Sequence, residues 1–482
     1  MMPTAGCISG CSTTGNARAG VIYDLSLFIS SFSIYVKPMA GGKMRTQGRY
    51  IKMNKAVVVI VSALLALTNC HTAAFAGGLP AETEVLSGNV SETLSADGKT
   101  VTFSTDSLRN WLEHRSGFNI AEGYTVNDNA TNPNAVFVHH DISGQLSNIQ
   151  GSLTANCNVF LLNPSGTLFG SGASVNVAGL VVSTLNMSMQ DFLNDSYVLE
   201  QGTGAAGLIT NAGTITATGP MGVTLAGGAV RNEGVINAGL GTVNLVSGSK
   251  VTLNADSEGL IQVAVDGKVL DNVYDKEGKK VEFGVDNVGE INANGGKVYI
   301  EAEAAQDVFS KLINQSGVVK AGSMVNKGGK IVLTSSSEGI VENSGTLDAS
   351  AVEAGANGGT IEIRGEKVGQ FGTVKADGLG AGGGGNVELR AAKTVALGAH
   401  SATTANAGAE GNGGRVVVFS PDSALMAPTA QIGVRGGDNS GNGGFVEFSG
   451  QKYVEVNGII DRSAPHGKAG LLLIDPTDIT IN

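Results

Sequence analysis

Cysteine, tryptophan, charge and long apolar runs are all scarce in this chain, and each scarcity excludes something. Of the 4 cysteines, Cys7, Cys11 and Cys70 precede a predicted cleavage point at Ala76–Gly77, so Cys157 alone remains in the mature chain. One cysteine cannot form an internal disulfide, which excludes a disulfide-stapled secreted scaffold. There is no Cys pair, phosphate loop, His-Glu-x-x-His helix or Gly-x-Ser-x-Gly elbow, and the enzyme classes those motifs mark are excluded with them. Charged residues are only 15%, against roughly 25% in soluble domains. Even so, Val, Ile and Leu are plentiful and charge runs are absent, so the composition is not that of a disordered chain. Proline is rare, at 10 residues, and the 71 glycines follow no three-residue period, which excludes collagen. The apolar run Ala56–Leu67 is too short to anchor the chain across a membrane.

That run belongs to an export signal. Met53-Asn54-Lys55 is its basic start, and Ala74-Phe75-Ala76 before Gly77 is a small-x-small cleavage site. A lipoprotein signal at Leu67–Cys70 fits less well, because Asn69 is a poor neighbour for the cysteine. Residues 1–52 read as an upstream extension from a mis-called start, 53–76 as the signal peptide. Removing residues 1–76 takes away seven basic residues and one acid, leaving 24 basic against 41 acidic, a net of −17. Such an acidic surface argues against nucleic acid or anionic lipid as a partner.

What the mature chain has in abundance is short β-branched runs punctuated by Gly and Asn, the mark of an all-β protein. Val101–Ser104, Ser107–Leu112, Phe118–Ile120 and Ala135–Val138 read as strands, and Met189–Asn194 as a short helix. Val159–Leu162 and Val175–Val182 flank a turn at Asn163-Pro164-Ser165-Gly166, where Pro164 has no N–H to donate. Asn132-Pro133-Asn134 is a second proline turn. Trp111, the single tryptophan, reads as a core or cap residue over one end of the fold.

From Asn211 the chain repeats. Asn211-Ala-Gly-Thr-Ile-Thr-Ala, Asn232-Glu-Gly-Val-Ile-Asn-Ala, Asn287-Val-Gly-Glu-Ile-Asn-Ala and Asn343-Ser-Gly-Thr-Leu-Asp-Ala share one line, and each is followed by a short apolar strand. Asn314-Gln-Ser-Gly and Phe371-Gly-Thr are variants of it. Starts lie about 21 to 29 residues apart, apart from a longer gap before Asn287, which is a solenoid period. Ile215, Ile236, Ile291 and Leu347 can share one interior, and the leading asparagines can stack. The spacing predicts a right-handed parallel β-helix of two strands per unit, with Gly77–Phe137 as an N-terminal β cap. At about 4.8 Å per rung, some 15 to 20 rungs would make a rod of roughly 70–95 Å. The boundaries expected are 77–325 for an N-terminal module and 326–482 for further β-helix repeats.

Several residues invite catalytic or metal readings. His139 and His140 are adjacent on a strand and point to opposite faces, so one metal cannot easily use both; the trio His139-His140-Asp141 reads as a polar strand end. Gly436-Gly437-Asp438 with Gly441–Gly444 lacks a recurring nine-residue period and reads as a turn rather than a calcium site. Glu362, Glu388 and Glu447 occupy similar strand positions without a matching base and read as solvated outward residues. Nothing here calls for a cofactor or a metal.

Asn156–Thr184 resembles the secretion domain of filamentous-haemagglutinin-like exoproteins of two-partner secretion systems. The likeness is carried by Ala155, Asn156, Asn158–Leu161, Asn163-Pro164, Gly166, Phe169-Gly170, Asn176-Val177, Gly179–Val181 and Ser183-Thr184. Trp111 with Phe118–Ile120, the Asn132–Asn134 turn, Phe192-Leu193 and the closing Leu471–Pro476 resemble further family segments. Cys157, Ser165 and Ala178 depart from the family line. The resemblance implies Sec export, recognition of the N-terminal domain by the periplasmic domains of an outer-membrane β-barrel transporter, and folding outside the cell. It implies a secreted or surface-attached, non-enzymatic adhesin, meeting a host-cell, bacterial or surface receptor. The turn residues Asn132–Asn134 and Asn163–Gly166 become its secretion motif. The alternatives are a β-helix enzyme acting on polysaccharide and a carrier for a C-terminal toxin.

Overall fold

The computed structural model describes residues 78–204, 207–255, 261–336 and 338–476. The predicted start, signal peptide and cleavage residues Ala74, Ala76 and Gly77 lie outside them.

Three parallel ladders wind into one solenoid. The first runs from Thr100–Thr105 through Thr125–Ala130 and Ser152–Ala155 to Ile459–Asp461. The second runs from Arg109–His114 through Val136–Asp141 and Asn158–Leu162 to Leu471–Leu473. The third begins at Ser147–Ile149 and ends at Tyr453–Val456. Each coil therefore has three strands, not two. The third strand ends in the repeated asparagine, which by sequence alone looked like part of a turn. Following the pairings gives about thirteen coils, or about 60 Å at ~4.8 Å each, a shorter rod than the repeat spacing predicts. Wide corner loops and two excursions take up the remaining residues.

Alternation decides what faces inward. Ile215, Ile236, Ile291, Val319, Leu347 and Val374 pair coil on coil and are fully buried. Each such side chain stabilises the stack by about 1.5–3 kcal/mol, and only when a neighbouring coil covers it.

The Asn-x-Gly line has a steric cause. A Cβ on Gly234, Gly289, Gly317, Gly345 or Gly372 would overlap the carbonyl oxygen of the equivalent glycine one coil earlier. That oxygen accepts the next backbone N–H, as from Glu290 to Gly234 at 2.9 Å, so the coils cannot part to make room. The asparagines beside them are buried and form a ladder. Asn211 donates to Asn232 at 2.8 Å, Asn232 to Asn287 at 2.7 Å and Asn287 to Gln315 at 2.5 Å. A second run has Asn343 donating to Gln370 at 2.6 Å.

Reversed strands close the N-terminal end. Thr83–Ser87 pairs antiparallel with Arg109–His114, and Val90–Leu94 with Thr100–Thr105. Phe118–Ile120 is not a strand: it contributes one bridge, Ile120 to Ile149, because the third ladder is only starting there. The short helix spans Met189–Leu193; Ser188 caps it, its hydroxyl accepting from the Asp191 N–H at 3.0 Å.

That helix belongs to a flanking layer. Tyr197–Glu200, Lys250–Ala255 and Ile261–Gly267 form a three-stranded antiparallel sheet. Both excursions that build this layer leave after a second-ladder strand and return before the next third-ladder strand. Under it, second-ladder strands are buried on both faces: Thr242–Ser247 is buried at every position. Further along, Lys297–Ala302 returns to strict alternation.

Candidate functional site

The Asn163–Gly166 corner is held from inside. Asn163 is fully buried. Its Nδ2 donates to Gln145 O and Ser147 Oγ at 2.8 Å and to Asp141 Oδ2 at 3.1 Å, while its Oδ1 accepts from Ser165 N at 2.8 Å. Asp141 also accepts from Phe118 N at 2.8 Å, Ser147 Oγ at 2.6 Å and Ser143 Oγ at 2.6 Å. A buried carboxylate tolerates its position only with donors on this scale. Gly166, at φ +109°, adopts a backbone that a side chain would strain. What the corner shows to solvent is Ser165 and part of Pro164. The Asn132–Asn134 turn is different: all three residues are exposed, and Asn132 Oδ1 accepts from Asn134 N at 2.9 Å.

Trp111 lies on the flank rather than on the end of the fold. It points outward from the second ladder and is 2% exposed, because the excursion layer covers it. Phe192 meets it at 5.7 Å between ring centroids, and Tyr197 meets Phe160 at 5.6 Å. Arg109 ion-pairs with Asp195 beside the helix. The flank around Asn156–Thr184 is thereby locked to a layer drawn from residues 188–200, 250–255 and 261–267.

His139, His140 and Asp141 do form the polar end of the strand Val136–Asp141, but His139 and Asp141 are buried rather than solvated, while His140 points to the opposite face, 3.6 Å from Glu113. Among the described residues no group of three or more His, Cys, Asp or Glu could hold a metal ion. Burial, with the charge of Asp128, pushes the Cys157 thiol up to about 12, which makes it unreactive.

Glu362, Glu388 and Glu447 do have basic partners. Glu362 meets Lys330 at 2.9 Å and Arg364 at 2.8 Å; Glu388 meets Arg415 at 2.9 Å and Arg390 at 3.2 Å; Glu447 meets Arg415 at 3.8 Å. The bases stand two residues on along the same strand face, or one coil away. Burial works against the Glu388 charge, but the hydrogen bonds and charges of Arg390 and Arg415 outweigh it and hold its carboxyl below the usual range. Arg390 and Arg415 also lie over Phe419 and Phe445, at 5.3 and 5.7 Å. Glu362, Glu388 and Glu447 are thus each tied to a guanidinium or ammonium group.

Residues 78–349 match the model of the TPS secretion domain. The chain belongs to this two-partner secretion family. The crystal structure of the HMW1 secretion domain from Haemophilus influenzae is similar over 82% of this chain and 99% of that one, with TM-score 0.67 and 28% identity. Two heme/hemopexin-binding proteins of H. influenzae, one of them from strain ATCC 51907 / DSM 11121 / KW20 / Rd, are 30% and 29% identical over 57% of this chain. The chain spans about 30% of the length of those relatives.

The TPS secretion domain thus takes in the reversed cap, the Trp111 flank, both proline turns and the first run of the asparagine ladder. A TPS secretion domain implies an outer-membrane transporter as partner and export from a Gram-negative cell. The ladders continue past the match without a break, Lys330–Ser335 pairing with Thr360–Arg364 and onward to Leu471–Leu473.

Proposed function

We propose that the chain is a secreted adhesin of the two-partner type. The periplasmic domains of its transporter recognise residues 78–349, with the Asn132–Asn134 and Asn163–Gly166 turns contributing. The exported β-helix then adheres to a host cell, another bacterium or a surface. The observation that carries this reading is the TPS secretion domain match, followed by further coils of the same build. A net charge near −17 after processing speaks against a nucleic-acid partner.

The test is co-expression with an outer-membrane transporter of the two-partner type from the same organism. Mature protein should reach the medium or cell surface, and removal of residues 78–349 should abolish that. Beads coated with the purified protein should bind cells that uncoated beads do not. Release without the transporter would refute the export half, and beads that bind nothing would refute the adhesion half. A second reading, heme or hemopexin as ligand, is favoured by the likeness to the heme/hemopexin-binding proteins of H. influenzae; a heme titration followed by absorbance decides it. Sugar release from polysaccharide by the purified protein would overturn the non-enzymatic reading.

A further inference from the structure

The interior of the first two coils carries a string of polar side chains. Thr83 Oγ1 lies 3.2 Å from His114 Nδ1, His114 Nε2 lies 2.9 Å from His139 Nδ1, and His139 Nε2 lies 2.9 Å from Asp128 Oδ2. His114, His139 and Asp128 are each fully buried. Aromatic rings enclose the imidazoles: Phe118 is 5.0 Å from His114 and 4.6 Å from His139, and Phe103 is 5.6 Å from His139. The string crosses three layers of the fold. Thr83 comes from the reversed cap strand, His114 from the first coil, and His139 and Asp128 from the second.

One set of proton positions satisfies every link. The Thr83 hydroxyl donates to His114 Nδ1, His114 Nε2–H donates to His139 Nδ1, and His139 Nε2–H donates to Asp128. Both imidazoles are then neutral, and one carboxylate charge sits at the end of the string. Asp128 can balance one imidazolium but not two, and its Oδ1 has no hydrogen-bond partner of its own.

We infer that Thr83, His114, His139 and Asp128 form an acid-opened latch, which holds the cap strand Thr83–Ser87 on the first coils at neutral pH and releases it when His114 takes up a proton. Burial first, then the neighbouring His139 and His140, hold the His114 imidazole well below its ordinary range. The surroundings offer little to offset an added charge. Inside the coil the other ionisable groups are Asp128 and the Cys157 thiol; Asp141, at the corner, is committed to the Phe118, Ser143, Ser147 and Asn163 donors. Glu113 and His140 point outward and face each other, and Glu84 of the cap is paired with Arg115 at 2.6 Å.

An imidazole in the opened cap titrates near 6.5, while His114 in the closed cap titrates well below that. The opened form therefore binds more protons, and opening is favoured progressively as pH falls below about 6.5. Above that pH the latch is fully in place. Opening would leave Arg109–His114 with one edge unpaired, a template for strand pairing by another chain.

Amide hydrogen exchange on the mature full-length chain tests it, after correction for intrinsic exchange rates, between pH 7.5 and 5.0. Protection of Thr83–Ser87 and Arg109–His114 should fall by up to about tenfold per pH unit below 6.5 for each proton taken up, relative to Arg415–Ser420. His114→Gln should flatten that slope, while the exposed-site control His466→Gln should keep it. Fluorescence of Trp111, on the same strand as His114, should change over the same pH range. A flat wild-type profile overturns the latch, and so does a His114→Gln profile with the wild-type slope. If His114→Gln does not fold, the wild-type exchange and fluorescence profiles decide the matter alone.

Discussion

Replacing Asn163 with Ala separates two roles for the Asn163–Gly166 corner, architecture and recognition. The substitution removes the donor that Gln145 O, Ser147 Oγ and Asp141 Oδ2 share, and the acceptor for Ser165 N. Asp141 keeps Phe118, Ser143 and Ser147. Gln145 O and Ser165 N lose this partner, but both residues are exposed and water can replace it. The expected loss is therefore that of one member of a buried hydrogen-bond network, about 1–3 kcal/mol. Urea unfolding of the mature chain, followed by Trp111 fluorescence, reads it out, because Trp111 packs with Phe160 and Leu162 just before the corner. Ser165→Ala, at the exposed tip, should change stability by less than about 0.5 kcal/mol. If the transporter reads the tip, Ser165→Ala lowers secretion at unchanged stability, whereas Asn163→Ala and Asn163→Ile lower both. A loss under 1 kcal/mol for Asn163→Ala would refute the view that this side chain organises the corner.

Gly289→Ala places a methyl against the Gly234 carbonyl and should cost several kcal/mol or break the stack locally; fragments cut there by limited proteolysis would show it. Trp111→Ala should cost about 3–5 kcal/mol and loosen the flanking layer, making residues 188–204 the first site of proteolysis. Burial and then the charge of Glu303 raise Glu301 to about 7. The folded chain therefore holds this proton where the unfolded chain has lost it, and the contribution falls as pH rises from about 4.5 through 7. Glu301→Gln should remove that slope in urea midpoints measured across the range. Cys157, buried with its thiol near 12, should resist a thiol reagent in the native chain and react once urea unfolds it.

Much of the solenoid was legible because its repeat has a local steric cause. Gly234 and Gly289 must be glycine wherever coils stack this closely, so the Asn-x-Gly line survives in the sequence. The third strand was not legible, since Leu208–Asn211 and Ala229–Asn232 are short and run straight into that line. The flanking layer was hidden for a different reason. In Thr242–Ser247 the outward Thr242, Asn244 and Val246 are as buried as the inward Val243 and Leu245, and polarity along a strand does not show that its outward face is covered. The interior histidines could have been found. Leu112 and His114, Phe137 and His139, and Val126 and Asp128 each stand two apart, so alternation sends the second of each pair inward with the first. The ion pairs of Glu362 and Glu388 needed the same rule, applied to Arg364 and Arg390 two residues on. For the candidate site, sequence located the corner but not the inward direction of Asn163, which depends on Asp141 and Ser147 from the preceding coil.

Both excursions of the solenoid depart and rejoin at one corner, and the ladders close behind them as though nothing had been added. Ser247 still pairs with Ala302 across the longer one. Length at this position is therefore decoupled from the periodic scaffold, which makes it a natural display point. An epitope or a small folded domain grafted into the exposed Asp275–Lys279 turn would ride outside the rod. It would travel with the chain through export and stand clear of the axis along which the coils assemble. The same tolerance would let related chains diversify at this corner while the glycine-lined register beneath it stays unchanged.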